Sequence, residues 1–300
     1  MKKKTYLIAL MAMALTLGSC SDNENGIGGE TSKYITVSTS IGKMTRVATD
    51  EKGGQTFEEG DEISVYAWTG DATVAPETRE RVVNNAINKL TNGSWISNPQ
   101  MLWKNNREKH YFIGVYPTAA ISDLSAGEYT FDANKQTESD LLVAVNPDGL
   151  SYSADAQQTV PLTFTHVMAK LAVNLTYKNQ WGSIPTVEKV VVGNAAKEAT
   201  INYLTKVVTP STTAKEDFSL PEITENTKYV SVIIPQEEVT QLTIVIGGKN
   251  FVYDNGTPFK LESGKITTIN LEVGRNEIKL GDVKITDWED GSTFSGEAIN

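Results

Sequence analysis

Cysteine, histidine and long apolar runs are all scarce in this chain. Cys20 is the only cysteine in 300 residues. No disulfide can form within the chain, so each folded unit rests on its own apolar core. The two histidines, His110 and His166, lie far apart, and neither has a metal-ligand neighbour at a useful spacing. No HExxH, GxSxG, Walker A or paired-cysteine pattern occurs. Gly26-Ile27-Gly28-Gly29 does not sit between a strand and a helix, so it is not a dinucleotide loop. Ser263-Gly264-Lys265-Ile266-Thr267 lacks the spacing of a phosphate loop and reads as a hairpin turn. Asp287-Trp288-Glu289-Asp290-Gly291 lacks a full set of calcium oxygens and reads as a solvated acidic turn. Paired carboxylates for hydrolysis can come from anywhere in a fold, and nothing in the sequence singles out such a pair. The expectation is a protein that is not an enzyme and has no metal or cofactor. His166, among apolar neighbours in Phe164-Thr165-His166-Val167-Met168, reads as a core or edge histidine satisfied by a backbone group.

Positive charge is also short. There are 27 basic residues against 37 acidic ones, a net charge of −10. Without Lys2, Lys3 and Lys4 the basic count is 24 and the balance −13. That excludes nucleic acid as a natural partner and argues against a polybasic membrane contact.

The one apolar stretch, residues 6–17, is too short to span a bilayer, which takes roughly 20 residues. It follows the three lysines and runs into Leu17-Gly18-Ser19-Cys20. This is the layout of a cleaved signal peptide ending in a lipobox. The Cys20 thiol then carries a diacylglycerol, whose chains anchor it by about 0.8 kcal/mol per buried methylene. The expected location is the cell outer membrane, as a surface-exposed lipoprotein. Residues 1–19 are the signal and 20–32 a polar, glycine-rich flexible tether. The tether opens with Ser21-Asp22-Asn23-Glu24, which looks like an acidic surface-export signal.

What the chain has in plenty is threonine, valine, isoleucine and aromatics, with recurring glycine-bearing turns. That composition predicts an all-β protein. Ile35, Val37, Thr39 and Ile41 fall on one face of a first strand. Residues 42–55 form a polar loop that contains Arg46. Residues 62–68 alternate again. Residues 79–90 carry Val83, Ile87 and Leu90 at helical spacing, yet Asn92-Gly93 beyond them is a hairpin signal, and the pattern leaves helix and strand open. Strands are predicted at 109–116, 128–131 and 140–145, with Asn146-Pro147-Asp148-Gly149 as a turn. Residues 159–176 read as two strands or one long bent strand, passing from a first domain into a second. Further strands are predicted at 187–192, 230–235, 242–246, 251–253, 266–273 and 277–288. Short strands at this spacing predict β-sandwich domains, over 33–158 and 159–300. Of the tryptophans, Trp68 and Trp288 are expected in the core. Trp95, Trp103 and Trp181 are either core or exposed platforms for sugars.

Five ordered segments carry a more specific reading. They are Gly60-Asp61-Glu62-Ile63-Ser64-Val65-Tyr66; Met101-Leu102-Trp103 ahead of Tyr111-Phe112-Ile113-Gly114-Val115-Tyr116-Pro117; Asp140-Leu141-Leu142-Val143-Ala144; Leu162-Thr163-Phe164-Thr165-His166-Val167-Met168-Ala169-Lys170-Leu171; and Ile285-Thr286-Asp287-Trp288. In this order, and over nearly the whole mature chain, they resemble the fimbrillin, or Mfa-like, family of surface lipoproteins. The resemblance implies two tandem transthyretin-like β-sandwich domains, and it turns 79–90 toward strand. It also implies a role in fimbriae, as stalk subunit, tip adhesin or accessory.

In family members that polymerise, an arginine-specific protease cuts after the first strand, and a neighbour's C-terminal strand fills the groove. Carried onto this chain, the cut falls between Arg46 and Val47. It removes Cys20 with its lipid and the strand bearing Ile35, Val37 and Ile41. The donor candidate is Ile278, Leu280, Val283 and Ile285, with a slip between Leu280 and Val283; residues 294–299 are a poorer one. The implied partners are other fimbrial subunits, the outer membrane through Cys20, and a host or bacterial surface ligand. The alternative is a glycan-binding surface lipoprotein serving an outer-membrane transporter.

Overall fold

The computed structural model describes residues 33–42, 56–136, 138–153 and 158–288. The described chain is built almost wholly of strands, as expected. The first half contains β1 (Thr36–Ile41), β2 (Glu62–Thr69), β3 (Arg81–Thr91), β4 (Ser94–Asn98), β5 (Lys109–Tyr116), β6 (Gly127–Thr130), β7 (Leu142–Ser151) and β8 (Thr159–His166). The second contains β9 (Ala169–Tyr177), β10 (Val187–Ala196), β11 (Glu198–Asn202), β12 (Val207–Pro210), β13 (Lys215–Ser219), β14 (Glu222–Thr224), β15 (Lys228–Ile233), β16 (Gln241–Ile246), β17 (Lys249–Asp254), β18 (Lys265–Val273) and β19 (Ile278–Asp287). Among the described residues no helix is long and apolar enough to cross a membrane.

The first sheet has seven strands in the order β1-β8-β7-β5-β2-β3-β4. Its central strands bury both faces. In β2, Ile63, Val65 and Ala67 join one apolar cluster and Tyr66 and Trp68 another. The sheet curls until its two edges meet, where the Trp95 indole N–H of β4 donates to Thr39 Oγ1 of β1 at 2.9 Å. The curl encloses the cluster of Ile35, Val37, Ile63, Val65, Phe112, Val160, Leu162 and Phe164. The opposite face, through Tyr66, Trp68, Ile113 and Val115, joins a second cluster that continues into the other half of the chain.

That half holds a sheet of five strands, β14-β15-β9-β18-β19, and one of four, β13-β10-β16-β17. A third, small sheet, β12-β11-β6, takes β6 from the first half and pairs it with β11 of the second. The hydrogen bonding of the seven-stranded sheet runs through β8, beyond the division drawn at 158 from sequence. Residues 159–176 are two strands, and the chain changes sheet at Val167-Met168.

The open question at 79–90 resolves as strand β3. Its pairing with β2 slips where Ala67 faces Val83 and Val65 faces Ala86, and Asn85 there has φ 53°. Ile87 faces Ser64 while Val83 faces Ala67, so the residues at helical spacing do not share one face of the strand. Asn92 and Gly93, with φ 51° and 72°, make the expected hairpin turn to β4. Asn146-Pro147-Asp148-Gly149 is not a turn between strands. It is an irregularity inside β7, where the Gly149 N–H donates to Asn146 Oδ1 at 2.9 Å. Ser263-Gly264 is a turn but not a hairpin, because Leu261 before it bridges Gln236 rather than β18.

Candidate strand-exchange site

β1 is the first described strand, and it enters an otherwise antiparallel sheet in parallel. It pairs with β8 from Thr36↔Thr159 to Ile41↔Phe164. On its other side backbone bonds tie its entry, Ile35 N–H donating to Met101 O at 2.9 Å and Trp103 N–H to Lys33 O at 3.2 Å, and farther along the Trp95 side chain of β4 reaches Thr39. Ile35 and Val37 are buried, at 2% and 6% exposure, while Ile41 is half-buried at the rim. Between them, outward-facing Thr36 and Ser40 hydrogen-bond across to Thr159 and Thr163 at 3.2 Å each. Such surface contacts contribute little; the two buried side chains contribute about 1.5–3 kcal/mol each. The structure therefore brings Ile35 and Val37 together in one groove, with Ile41 less engaged.

The groove's floor is built by Val160, Leu162 and Phe164 of β8. Gly114 on β5 makes room for Phe164, since a Cβ there would lie 2.6 Å from Phe164 Cζ. Beneath β1's exit, the Phe57 ring meets Trp95, Tyr116 and Phe164 edge-on at 5.3, 5.4 and 5.1 Å. Burial, with Asp61 and Asp140 nearby, raises the Tyr116 phenol above its ordinary pKa. The described residues on either side of 43–55 are thus anchored, at Gly42 (N–H to Phe164 O, 2.8 Å) and at Phe57. Arg46, Val47 and Cys20 lie outside the described residues.

The donor candidate is β19, an edge strand on β18. The pairing slips by one residue at Gly281, so that Asn270 faces Asp282 and Leu271 faces Leu280. This bulge keeps all four apolar residues on one face. Ile278, Leu280, Val283 and Ile285 stand opposite Val273, Leu271, Ile269 and Thr267, each of which is buried. They point to the core side of the sheet, yet Leu280, Val283 and Ile285 are 37%, 39% and 40% exposed. The slip expected between Leu280 and Val283 is this bulge. The tail 294–299 lies outside the described residues.

None of the tryptophans is an exposed platform. Trp68, Trp103 and Trp288 are buried. Trp95 is locked between Phe57 and Thr39. Trp181 donates its indole N–H to Val273 O at 3.0 Å and packs on Tyr177 and Phe251. The rings on which a glycan reading rested are occupied by the protein itself. His166 differs from expectation: its Nδ1 meets Asp140 Oδ1 at 2.8 Å, a side-chain rather than a backbone partner. Among the described residues no group of three or more His, Cys, Asp or Glu could hold a metal. An open cleft of about 840 Å³, lined by residues including Trp68, Arg79, Arg81, Trp103 and Lys104, mixes both signs of charge with Asp71, Glu80 and Glu108.

Comparison with known proteins gives the groove its context. The fimbrillin-like family model matches residues 45–288, and the chain belongs to that family. It is 25% identical over 315 residues to Fim1C of Bacteroides uniformis, which is assigned as a fimbrium subunit; the match covers 97% of each chain. In fold it is similar to a protein of Bacteroides ovatus assigned to cell adhesion, with TM-score 0.62 and 18% identity over 85% of this chain and 98% of that one. A second cell-adhesion assignment, from Bacteroides uniformis, aligns with TM-score 0.57 and 19% identity over 85% and 99%.

Proposed function

We propose that this chain is a fimbrial subunit or adhesin, exported as a lipoprotein through Cys20 and assembled by donor-strand exchange. Cleavage between Arg46 and Val47 frees β1 together with the lipid. A neighbouring subunit then supplies a strand to the vacated edge of β8. Membership of the fimbrillin-like family supports the fimbrial role.

The observation that carries the exchange is the seat of β1. The first described strand closes the core with Ile35 and Val37, and Arg46 follows it in sequence, between Ile41 of β1 and Glu62 of β2. Removing it exposes Val160, Leu162 and Phe164 along an unpaired edge. That edge is a template for β-augmentation, in which backbone bonds give affinity and alternate side chains give register. β19 is the donor we favour, because its bulge aligns four apolar side chains on one face.

The test is to treat the full-length chain with an arginine-specific protease, beside an Arg46→Ala variant. Wild type should lose the β1 segment and form a ladder of heat-labile, detergent-resistant oligomers, while the variant stays monomeric. A cleaved chain that remains monomeric at high concentration, and with homologous subunits added, refutes the exchange.

A further inference from the structure

From Arg275 to Asp287 no side chain is buried, so β19 lies on the surface along its whole length. Its side-chain ties are few: Asn270 with Asp282 is exposed, Lys178 with Glu277 just before the strand and Lys265 with Asp287 are partly covered, and Ile278 packs partly on the core. The exposed contacts among these contribute little. The chain then changes character in one step. Trp288, the next residue, is 6% exposed, and its backbone N–H donates to Gly264 O at 3.0 Å. Its indole stacks on the His166 imidazole with centroids 4.0 Å apart and planes 6° from parallel. The Lys170 ammonium stands 4.1 Å from the same ring. His166 ends β8 and Lys170 belongs to β9, so the indole is seated where the chain passes between sheets, and Asp140 holds the imidazole in place.

We propose that Trp288 is a clasp: it keeps β19 docked on its own β18, and the strand leaves only when this indole leaves its seat. Apart from the backbone ladder with β18, the geometry assigns most of the strand's side-chain retention to one buried ring beyond its end. This rests on β19 being the donor only for its consequence, that the clasp restrains donation until a better groove is offered.

The test is hydrogen exchange, read peptide by peptide, on the full-length chain. Trp288→Ala should speed exchange of the β19 amides by roughly tenfold or more, given a lost buried ring and a lost stack. Protection in β10 and β16 should be unchanged. If Trp288→Ala does not fold, Lys170→Met keeps the indole, removes the cation, and should still speed β19 exchange roughly two- to fivefold. Unchanged exchange in β19 in a folded variant overturns the clasp. A second arm follows oligomer formation after Arg46 cleavage. Faster exchange in β19 with assembly at the wild-type rate would leave the clasp standing and remove β19 as the donor.

Discussion

Truncating Ile35 should loosen β1 far more than its single position suggests. Ile35 is 2% exposed in the groove, and Ile→Ala at such a site costs about 2–5 kcal/mol through lost burial and the cavity left behind. In the intact chain that cost appears as reduced stability, because β1 is tethered. Once the chain is cut after Arg46, the same cost falls on the affinity of a separate strand. At about 1.4 kcal/mol per factor of ten, the strand should bind roughly 30- to several-thousandfold more weakly. Native mass spectrometry after limited cleavage reads this directly as the fraction of chains that still hold the β1 peptide. Wild type should retain it for a time that Ile35→Ala shortens sharply. Ser38→Ala, at an exposed position of the same strand, should match wild type within about 0.5 kcal/mol. Equal retention by the Ile35→Ala and wild-type chains would refute the account of what holds β1.

Three further outcomes follow from the same geometry. Thr39→Val removes the acceptor of the Trp95 indole N–H and should cost about 1 kcal/mol in urea unfolding, since it opens the seam where the curled sheet meets itself; no change would mean the seam closes by packing alone. Gly114→Ala drives a methyl into Phe164 and should cost about 1–3 kcal/mol; a Phe164→Leu second change should recover part of it, and independent effects would contradict the contact. His110 is fully buried, its Nε2 accepts the Lys104 N–H at 3.0 Å, and burial holds its pKa below 6.5. The unfolded chain then binds the proton more readily than the folded one. His110 therefore contributes stability fully above pH 6.5, and that contribution is lost as pH falls below 6.5 toward the folded pKa. Thermal melts across that window should fall more steeply for wild type than for His110→Gln, and parallel slopes would remove His110 as the cause.

The all-β class and most strands were legible because burial on one face leaves a period of two in the sequence. Ile35 and Val37 could be placed on the buried face of a first strand, and Asn92-Gly93 as a hairpin, on local chemistry alone. The ambiguity at 79–90 came from Val83, Ile87 and Leu90, which sit at helical spacing in sequence but on different faces of β3, whose pairing with β2 is irregular around Asn85. An irregularity also hid inside β19, where only pairing with β18 shows that the slip keeps Leu280 and Val283 on one face. The strands β11 to β14 were missed because they are short and half-polar, as in Glu198-Ala199-Thr200-Ile201-Asn202. The pairing of β6 with β11 was beyond reach, since nothing local in either segment marks a partner so distant in the chain. His166 was read as bonded to backbone because Asp140 and Trp288, which occupy it, are remote in sequence.

The central claim is that β1 and the lipid leave together. It is tested most directly by intact-mass and N-terminal peptide analysis of the protein taken from its own cells. The account predicts a mature chain beginning at Val47, without lipid. A chain beginning at a diacylated Cys20 would contradict it, because β1 would still fill the groove that a neighbour's strand is proposed to enter.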